Sequence, residues 1–528
     1  MPSSTIGRTT TVSADHVVAH TLLNCYLREI AGREGQAEMI GDELHVRLTG
    51  LGVTLRIAVR RRALSGAHRF AGPVFGDDGE LHWRAVAERL ADELTLATGI
   101  VNDEFTDQVA ASHAVTEESL RDSVFATDPY LASEQALALG HRFHPTPKAR
   151  TGAGEWQRYA PERGSRISLR YLAARADVVR EQTVAGDDLS ILDELLPAPA
   201  GYRLLPVHPW QFELLRHNAT LAAALRDGRL LDLGAGGPSC TPTSSVRTLH
   251  TGAGFLKFSL NVRITNCVRK NSAYELAAAV ALTGLLDREL ADTHVLREPG
   301  YRTVELADRE LYEGFGVIVR EGLARHLPPG GTPLVAAAVA DEYPLSPAHV
   351  SHLVDPSDVV EWWRAYLRLL VPPVLTAFFA HGVVLEPHLQ NVLVCVDPDG
   401  MPVRMLFRDM EGTKLLAEHH ASFLATLPPE VAGPMTYTPA KGWQRVAYCL
   451  LVNHVAEVLA ALADLRPDSE AELWALVRAE LAAHPGAPPE LRAVLAGVPV
   501  PAKANLLARW QRDSDRHADY VPLSLPIA

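Results

Sequence analysis

A turn sequence set between two apolar runs constrains this chain more than any other feature. Val392-Leu393-Val394 leads into Asp397-Pro398-Asp399-Gly400, and Val403-Arg404-Met405-Leu406-Phe407 follows. Asp-Gly between two such runs is a strong β-hairpin signal. A hairpin predicts that the segment before the first strand meets the segment after the second. The first is Leu385-Glu386-Pro387-His388-Leu389-Gln390-Asn391, and the second is Arg408-Asp409. Asn391 and His388 would then stand beside Asp409, although 18 to 21 residues separate them. Amides and an imidazole facing a carboxylate suit nucleotide phosphates, the carboxylate serving Mg²⁺.

That layout parallels the catalytic loop, strand pair and metal-binding aspartate of protein kinases. The residues differ, because there is no H-R-D-x-x-x-x-N and no D-F-G.

The middle third carries a second anion-binding signal. Ser244-Ser245-Val246-Arg247-Thr248 offers hydroxyls and a guanidinium within one turn, where phosphate oxygens also find backbone N–H groups. Lys257-Phe258-Ser259-Leu260-Asn261-Val262-Arg263-Ile264 alternates polar and apolar residues, the period of a half-buried strand. Its polar face presents Lys257 and Arg263 outward or into a cleft. Arg247, Lys257, Arg263 and Arg269 together suit a nucleoside triphosphate and a polycarboxylate.

Histidines gather in two further places. Gly140-His141-Arg142-Phe143-His144-Pro145-Thr146-Pro147-Lys148-Ala149-Arg150 is a proline-punctuated basic loop, and Pro206-Val207-His208-Pro209-Trp210-Gln211 forms a corner. His141 and His144 have no cysteine or carboxylate at ligand spacing, so anion binding or structural hydrogen bonding is preferred over zinc. His419-His420 reads as solvated and Trp362-Trp363 as core.

At 528 residues the chain is too long for a single core. Its net charge of −13 argues against non-specific nucleic-acid binding. Five scattered cysteines without a C-x-x-C pair argue against a disulfide framework and a structural zinc site. The first residues lack an apolar signal region, and no apolar run approaches the roughly 20 residues of a membrane span. The expectation is a cytoplasmic protein with no membrane or nucleic-acid partner. Helices are expected over 15–30, 83–97, 117–125, 357–370 (broken at Pro372-Pro373), 444–465 and 469–484, and a strand pair over 43–60.

Seven motifs in order resemble the IucA/IucC family of NRPS-independent siderophore synthetases. They are G-H-x-x-H-P-x-x-K-x-R-x-G at 140–152, Tyr159-Ala160-Pro161-Glu162, P-V-H-P-W-Q at 206–211, S-x-R-T at 245–248, the Lys257 strand with Ile264-Thr265-Asn266 and Arg269, E-x-H-x-Q-N at 386–391, and Arg408-Asp409. Lys503-Ala504-Asn505-Leu506-Leu507 is similar to the family's tail. Arg142 departs from the pattern, standing where the family has proline, which bears on substrate identity more than on reaction class.

The resemblance implies an α+β, hand-like fold: a thumb over residues 1–135, fingers over 136–305 and a mostly helical, kinase-like palm over 306–528. It implies ATP and Mg²⁺ as cofactors, polycarboxylate and amine or hydroxylamine substrates, and a homodimer. ATP would adenylate a carboxylate of citrate or a citrate- or succinate-derived acid, and an amine, hydroxylamine or alcohol would then attack. By the same carry-over, Ser245, Arg247, Thr248 and Lys257 hold the triphosphate. Glu386, Gln390 and Asn391 position nucleotide and metal, and Asp409 is the main Mg²⁺ ligand. Thr265, Arg269 and His388 engage the acid, with His144 and Lys148 closing the site. His388 has a basic and a purely orienting role open to it. An ATP-dependent phosphotransferase and a non-catalytic citrate- or siderophore-binding protein are the rival readings.

Overall fold

The computed structural model describes residues 12–150, 156–264, 267–513 and 519–527. The chain divides into two units. One comprises Met1–Ser123, Ala138–Arg150 and Lys503–Val521, and the other Val124–Leu137, Thr151–Ala502 and Pro522–Ala528.

The first unit is built on a five-stranded antiparallel sheet in sequence order: Ala37–Ile40, Glu43–Leu48, Val53–Arg61, Arg69–Gly76 and Gly79–Leu81. The expected strand pair is its centre. Alternation places Leu55 and Ile57 in a core shared with Leu22, Leu23, Val86 and Leu90. Those four come from helices Ala14–Tyr26 and Trp83–Thr98. The first helix continues as a π-helical turn over Leu27–Ala31, and the helix expected at 117–125 is the end of a longer one, Phe105–Asp122. The tail segment is anchored here: Glu29 accepts the backbone N–H groups of Leu506 and Leu507, 2.8 Å each, at the start of helix Asn505–Gln511.

The second unit carries an eight-stranded antiparallel sheet. Its order is Val179–Thr183, Gly300–Val304, Val317–Arg320, Phe255–Phe258, Thr248–His250, Leu230–Pro242, Ile167–Arg175 and Tyr202–Val207. The strand expected over 257–264 breaks at Ser259. Its hydroxyl donates to the Glu313 carbonyl (2.6 Å) and accepts the Asn271 N–H (2.8 Å), and Leu260–Ile264 pairs instead with Cys267–Arg269. One side chain thereby replaces two ladder contacts, and periodicity cannot register that. On the large sheet, Leu256 and Phe258 enter one core with Val317 and Val319, so Lys257 and Arg320 share the opposite face. Lys257 is 1% exposed, buried rather than outward.

The hairpin forms as expected, with Val392–Val396 antiparallel to Pro402–Phe407 and Val392 opposite Phe407. Asp397 Oδ1 accepts the N–H groups of Asp399 and Met401 at 2.9 Å. Gly400 has φ 84°, and a Cβ there would lie 2.2 Å from the Leu353 carbonyl oxygen, so only glycine fits. The inner hairpin face (Leu393, Cys395, Leu406) packs with Phe255, a neighbour of Lys257 on the large sheet. Packing therefore delivers the chain after Phe407 to Lys257.

Helices dominate the remainder. Val359–Phe379 runs straight through Pro372 and Pro373 instead of breaking. An internal proline costs about 3 kcal/mol; Leu370, Val371, Val374 and Leu375, all at most 1% exposed, offset it. Trp362 and Trp363 are core, whereas His420 is buried, contrary to expectation, with Nε2 2.7 Å from the His381 carbonyl. Contrary to the expectation that no apolar run nears a membrane span, Pro439–Leu465 is long and apolar enough by composition to cross one, but 94% of its apolar window is buried inside the protein. Among the described residues Cys25, Cys240, Cys395 and Cys449 are buried and form no disulfide.

Candidate functional site

The site grows from three pieces of the second unit: the sheet face with Lys257, the turn before Thr248, and the two ends of the hairpin. The Asn391 carbonyl accepts the Arg408 N–H at 3.0 Å, so the hairpin joins the loop to Asp409 as expected. Lys257 Nζ then lies 2.6 Å from Asp409 Oδ1 and 3.2 Å from Glu411 Oε2. Arg247 donates to Glu411, and its other terminal nitrogen lies 2.6 Å from Asn271 Oδ1. Arg320 stands 3.7 Å from Asp409 Oδ1 and is braced by buried Glu298 at 2.5 and 3.0 Å.

These charges shift one another. Burial pushes the Asp409 carboxyl up, but the cations of Lys257, Arg320 and Arg247 prevail and hold it well below the usual range. Burial likewise opposes ionisation of Glu411, and Arg247 and Lys257 hold it low. Lys257 loses from burial and gains more from Asp409, Glu298 and Glu411, so its ammonium is raised. Asp409, Glu411 and Lys257 therefore remain ionised at neutral pH.

Two backbone positions are strained. Val246, β-branched and buried, has φ 69° in a three-residue turn closed by Arg247 N–H to the Ser245 carbonyl (2.8 Å). Thr243 holds the turn: its hydroxyl lies 3.1 Å from Ser245 Oγ and donates to the Thr248 carbonyl at 2.9 Å. Asp409 has φ 82°. Strain of this sort costs roughly 1–3 kcal/mol and persists where the surroundings over-determine it.

The hairpin loop and the Ser244 turn are wired together. Gln390 Nε2 donates to Ser244 Oγ at 3.1 Å, and Glu134 accepts the Ser244 N–H at 3.0 Å while pairing with Arg408. Arg408 also holds the Gln390 carbonyl at 2.8 Å. Glu386 pairs with Arg445 at 2.8 Å. His388 is half-buried, and desolvation lowers its pKa, so the ring is neutral at neutral pH. Arg269 is half-buried and lends positive potential to Glu411.

The IucA / IucC family model matches residues 129–341, and that of the ferric iron reductase FhuF-like transporter matches residues 360–518. The L-2,3-diaminopropanoate–citrate ligase of Staphylococcus aureus is 32% identical over 385 residues, 67% of this chain and 66% of that protein. The chain belongs to the IucA/IucC family. The N(2)-citryl-N(6)-acetyl-N(6)-hydroxylysine synthase of Escherichia coli is 29% identical over 529 residues, 89% of each protein. ATP-bound aerobactin synthetase IucA of Klebsiella pneumoniae superposes with a TM-score of 0.85 at 25% identity, covering 98% of this chain and all of that one.

Of the family motifs, the second unit brings together Ser245, Arg247, Thr248, Lys257, Arg269, Glu386, His388, Gln390, Asn391 and Asp409. Thr265 lies outside the described residues. His144 and Lys148 belong to the first unit, both largely buried; His144 Nδ1 accepts the Thr146 N–H at 3.2 Å. In that unit Arg142 is structural, donating to the Ala67 and His68 carbonyls at 3.4 and 3.1 Å. The His-Pro-Trp-Gln corner is structural as well. His208 Nδ1 caps Trp210, and Gln211 bridges the Gly314 carbonyl and the Asn261 N–H. Sequence reading missed Glu411, Arg320, Glu298, Asn271 and Glu134. Glu411 alone had an available signal, two residues past Asp409.

Proposed function

We propose that this chain is an ATP-dependent acid–amine ligase of siderophore biosynthesis. It adenylates a carboxylate of citrate or a citrate- or succinate-derived acid and condenses it with an amine, hydroxylamine or alcohol. One observation carries the reading: Lys257, Arg247 and Arg320 converge on Asp409 and Glu411 beside the Asn391 loop. A bound nucleotide would exchange these internal pairs for external ones, its phosphates meeting Lys257, Arg247 and Arg320, and Asp409 and Glu411 would hold the accompanying Mg²⁺. The names of the S. aureus and E. coli relatives support citrate as the acid, and the ATP-bound relative supports the nucleotide.

Among the described residues no three His, Cys, Asp or Glu side chains gather as a metal cage. Mg²⁺ at nucleotides needs only one or two carboxylates besides phosphate oxygens and water, and Asp409 and Glu411 fit that demand. Bound there, Mg²⁺ would neutralise charge on the phosphate oxygens.

In the first step a carboxylate oxygen of the acid bonds to the α-phosphorus, the bond to the β-phosphate breaks, and pyrophosphate leaves. Lys257 and Arg247 lower the repulsion between the two anions and meet the developing charge. Ser245 and Thr248 belong to the same phosphate turn, and Arg269 orients the acid. In the second step the nucleophile attacks the acyl carbon, AMP departs, and the neutral imidazole of His388 takes the proton. We further assign the family's thumb, fingers and palm, a homodimeric assembly and a cytoplasmic setting to this chain, on the motifs it shares with that family.

The test is a matrix of acids and amines with ATP, scoring AMP and pyrophosphate. ADP as product would favour a phosphotransferase, and citrate binding without nucleotide turnover a binding protein.

A further inference from the structure

The E-x-H segment is gripped twice by a single helical run. Arg445 pairs with Glu386 at 2.8 Å, and His454 Nδ1 lies 2.7 Å from the Pro387 carbonyl. Nine residues separate Arg445 from His454. At 3.6 residues per turn that is about two and a half turns, which sets the two on opposite faces of a regular α-helix. The stretch between them is not regular: Tyr448–Val455 is π-helical, flanked by α-helix at Pro439–Ala447 and Ala456–Leu465. A π-turn takes more residues per turn and so rotates less per residue, bringing His454 round toward the segment that Arg445 already holds. Such π-segments are rare and often mark functional sites.

The tautomer follows from the partners. A carbonyl oxygen only accepts, so Nδ1 carries the proton, and Nε2 accepts from the Tyr366 hydroxyl at 2.6 Å. His454 and Tyr366 are both fully buried, and Tyr366 stacks on Trp362 and Trp363 at 5.1 and 5.6 Å. Burial lowers the His454 pKa to about 4, so the ring stays neutral and the relay keeps one direction. Nothing in the E-x-H motif requires a histidine behind it; the carbonyl needs only a fixed donor.

We infer that His454 is a positioning residue for the ligase reaction. With the π-segment and Tyr366 behind it, it fixes the Pro387 carbonyl and thereby the directions in which Glu386 and His388 leave the backbone on either side. This rests on the ligase reading above.

The experiment compares wild type with His454→Leu and His454→Asn. An asparagine amide can donate near the place of Nδ1–H, and leucine cannot. For each, pyrophosphate release is measured with ATP and acid varied separately, with ATP binding by calorimetry and fold by far-UV circular dichroism. His454→Leu is expected to bind ATP within about threefold of wild type and to lose at least 30-fold in kcat. His454→Asn should recover to within about fivefold of wild-type kcat. A folded His454→Leu variant with near-normal kcat overturns the proposal, as does a folded His454→Asn variant as impaired as leucine. Wild type that releases no pyrophosphate with any acid overturns the ligase reading and this inference with it.

Discussion

Lys257 Nζ lies 2.6 Å from Asp409 Oδ1, a contact that joins positions 152 residues apart in the chain. The ammonium is nearly inaccessible and the carboxylate about one-third exposed, so the pair opens toward the side from which a ligand would come. A buried ion pair is not in itself a strong stabiliser, because desolvation offsets attraction. Its service here is preorganisation: cations and carboxylates compensate each other in the free protein and are already in place when a nucleotide takes over both.

Asp409→Ala is expected to abolish pyrophosphate release while leaving far-UV circular dichroism unchanged. Asp409→Asn should be equally inactive but fold more readily, since asparagine tolerates φ 82° better than alanine. Near-normal turnover in either folded variant would remove Asp409 from the metal site.

Arg247→Ala and Lys257→Ala should each lower kcat and raise the KM for ATP. A charge-assisted contact to a group whose charge changes in the transition state contributes roughly 2–4 kcal/mol, about 30- to 1000-fold. Steady-state kinetics with ATP varied provides the check. Effects below about threefold in both variants would contradict the assignment.

Arg269→Ala is expected to raise the KM for the acid and spare nucleotide binding, and Arg269→Lys should be impaired as well, because a planar fork pairs two carboxylate oxygens where an ammonium pairs one. Kinetics with the acid varied, beside calorimetry with ATP, separates the two sites. Loss of nucleotide affinity with an unchanged acid KM would move Arg269 to the ATP side.

Gly412→Ala tests the packing behind Glu386. A Cβ at position 412 would lie 2.1 Å from Glu386 Oε2, so the carboxylate must move and its 2.8 Å pair with Arg445 must loosen. The variant should fold and lose at least tenfold in kcat. Retained kcat would mean that Glu386 has no fixed place in the reaction.

Stability should fall in mild acid. His454 titrates at about 4 and His208 at about 3 in the folded protein, both lowered by burial, against about 6.5 unfolded. Between those values the unfolded chain binds more protons, so stability declines as pH drops from about 6.5 toward 4. For His454 alone the loss approaches roughly 3 kcal/mol. Urea unfolding across that range should show the decline, and His454→Asn should flatten it. An unchanged slope in that variant would mean His454 is not the neutral buried group described above.

The sequence alone determined the parts that local chemistry controls. Asp397-Pro398-Asp399-Gly400 carries its own turn bonds, and alternation over 43–60 defines a strand pair, so both were legible. The hairpin in turn fixed the proximity of Asn391 and Asp409, because antiparallel pairing leaves no choice of end. Tertiary structure decided the rest. Ser259 ended a strand through bonds to Glu313 and Asn271, neither of them near in sequence. Packing around Pro372 and Pro373 carried a helix past the residues that should have broken it. The site's charge balance was also settled only in three dimensions: Glu411, Arg320 and Glu298 are ordinary surface-type residues by sequence. Which cation faces which carboxylate depends on register between strands far apart in the chain, and Coulomb energy falls with distance in space, not with separation along the chain.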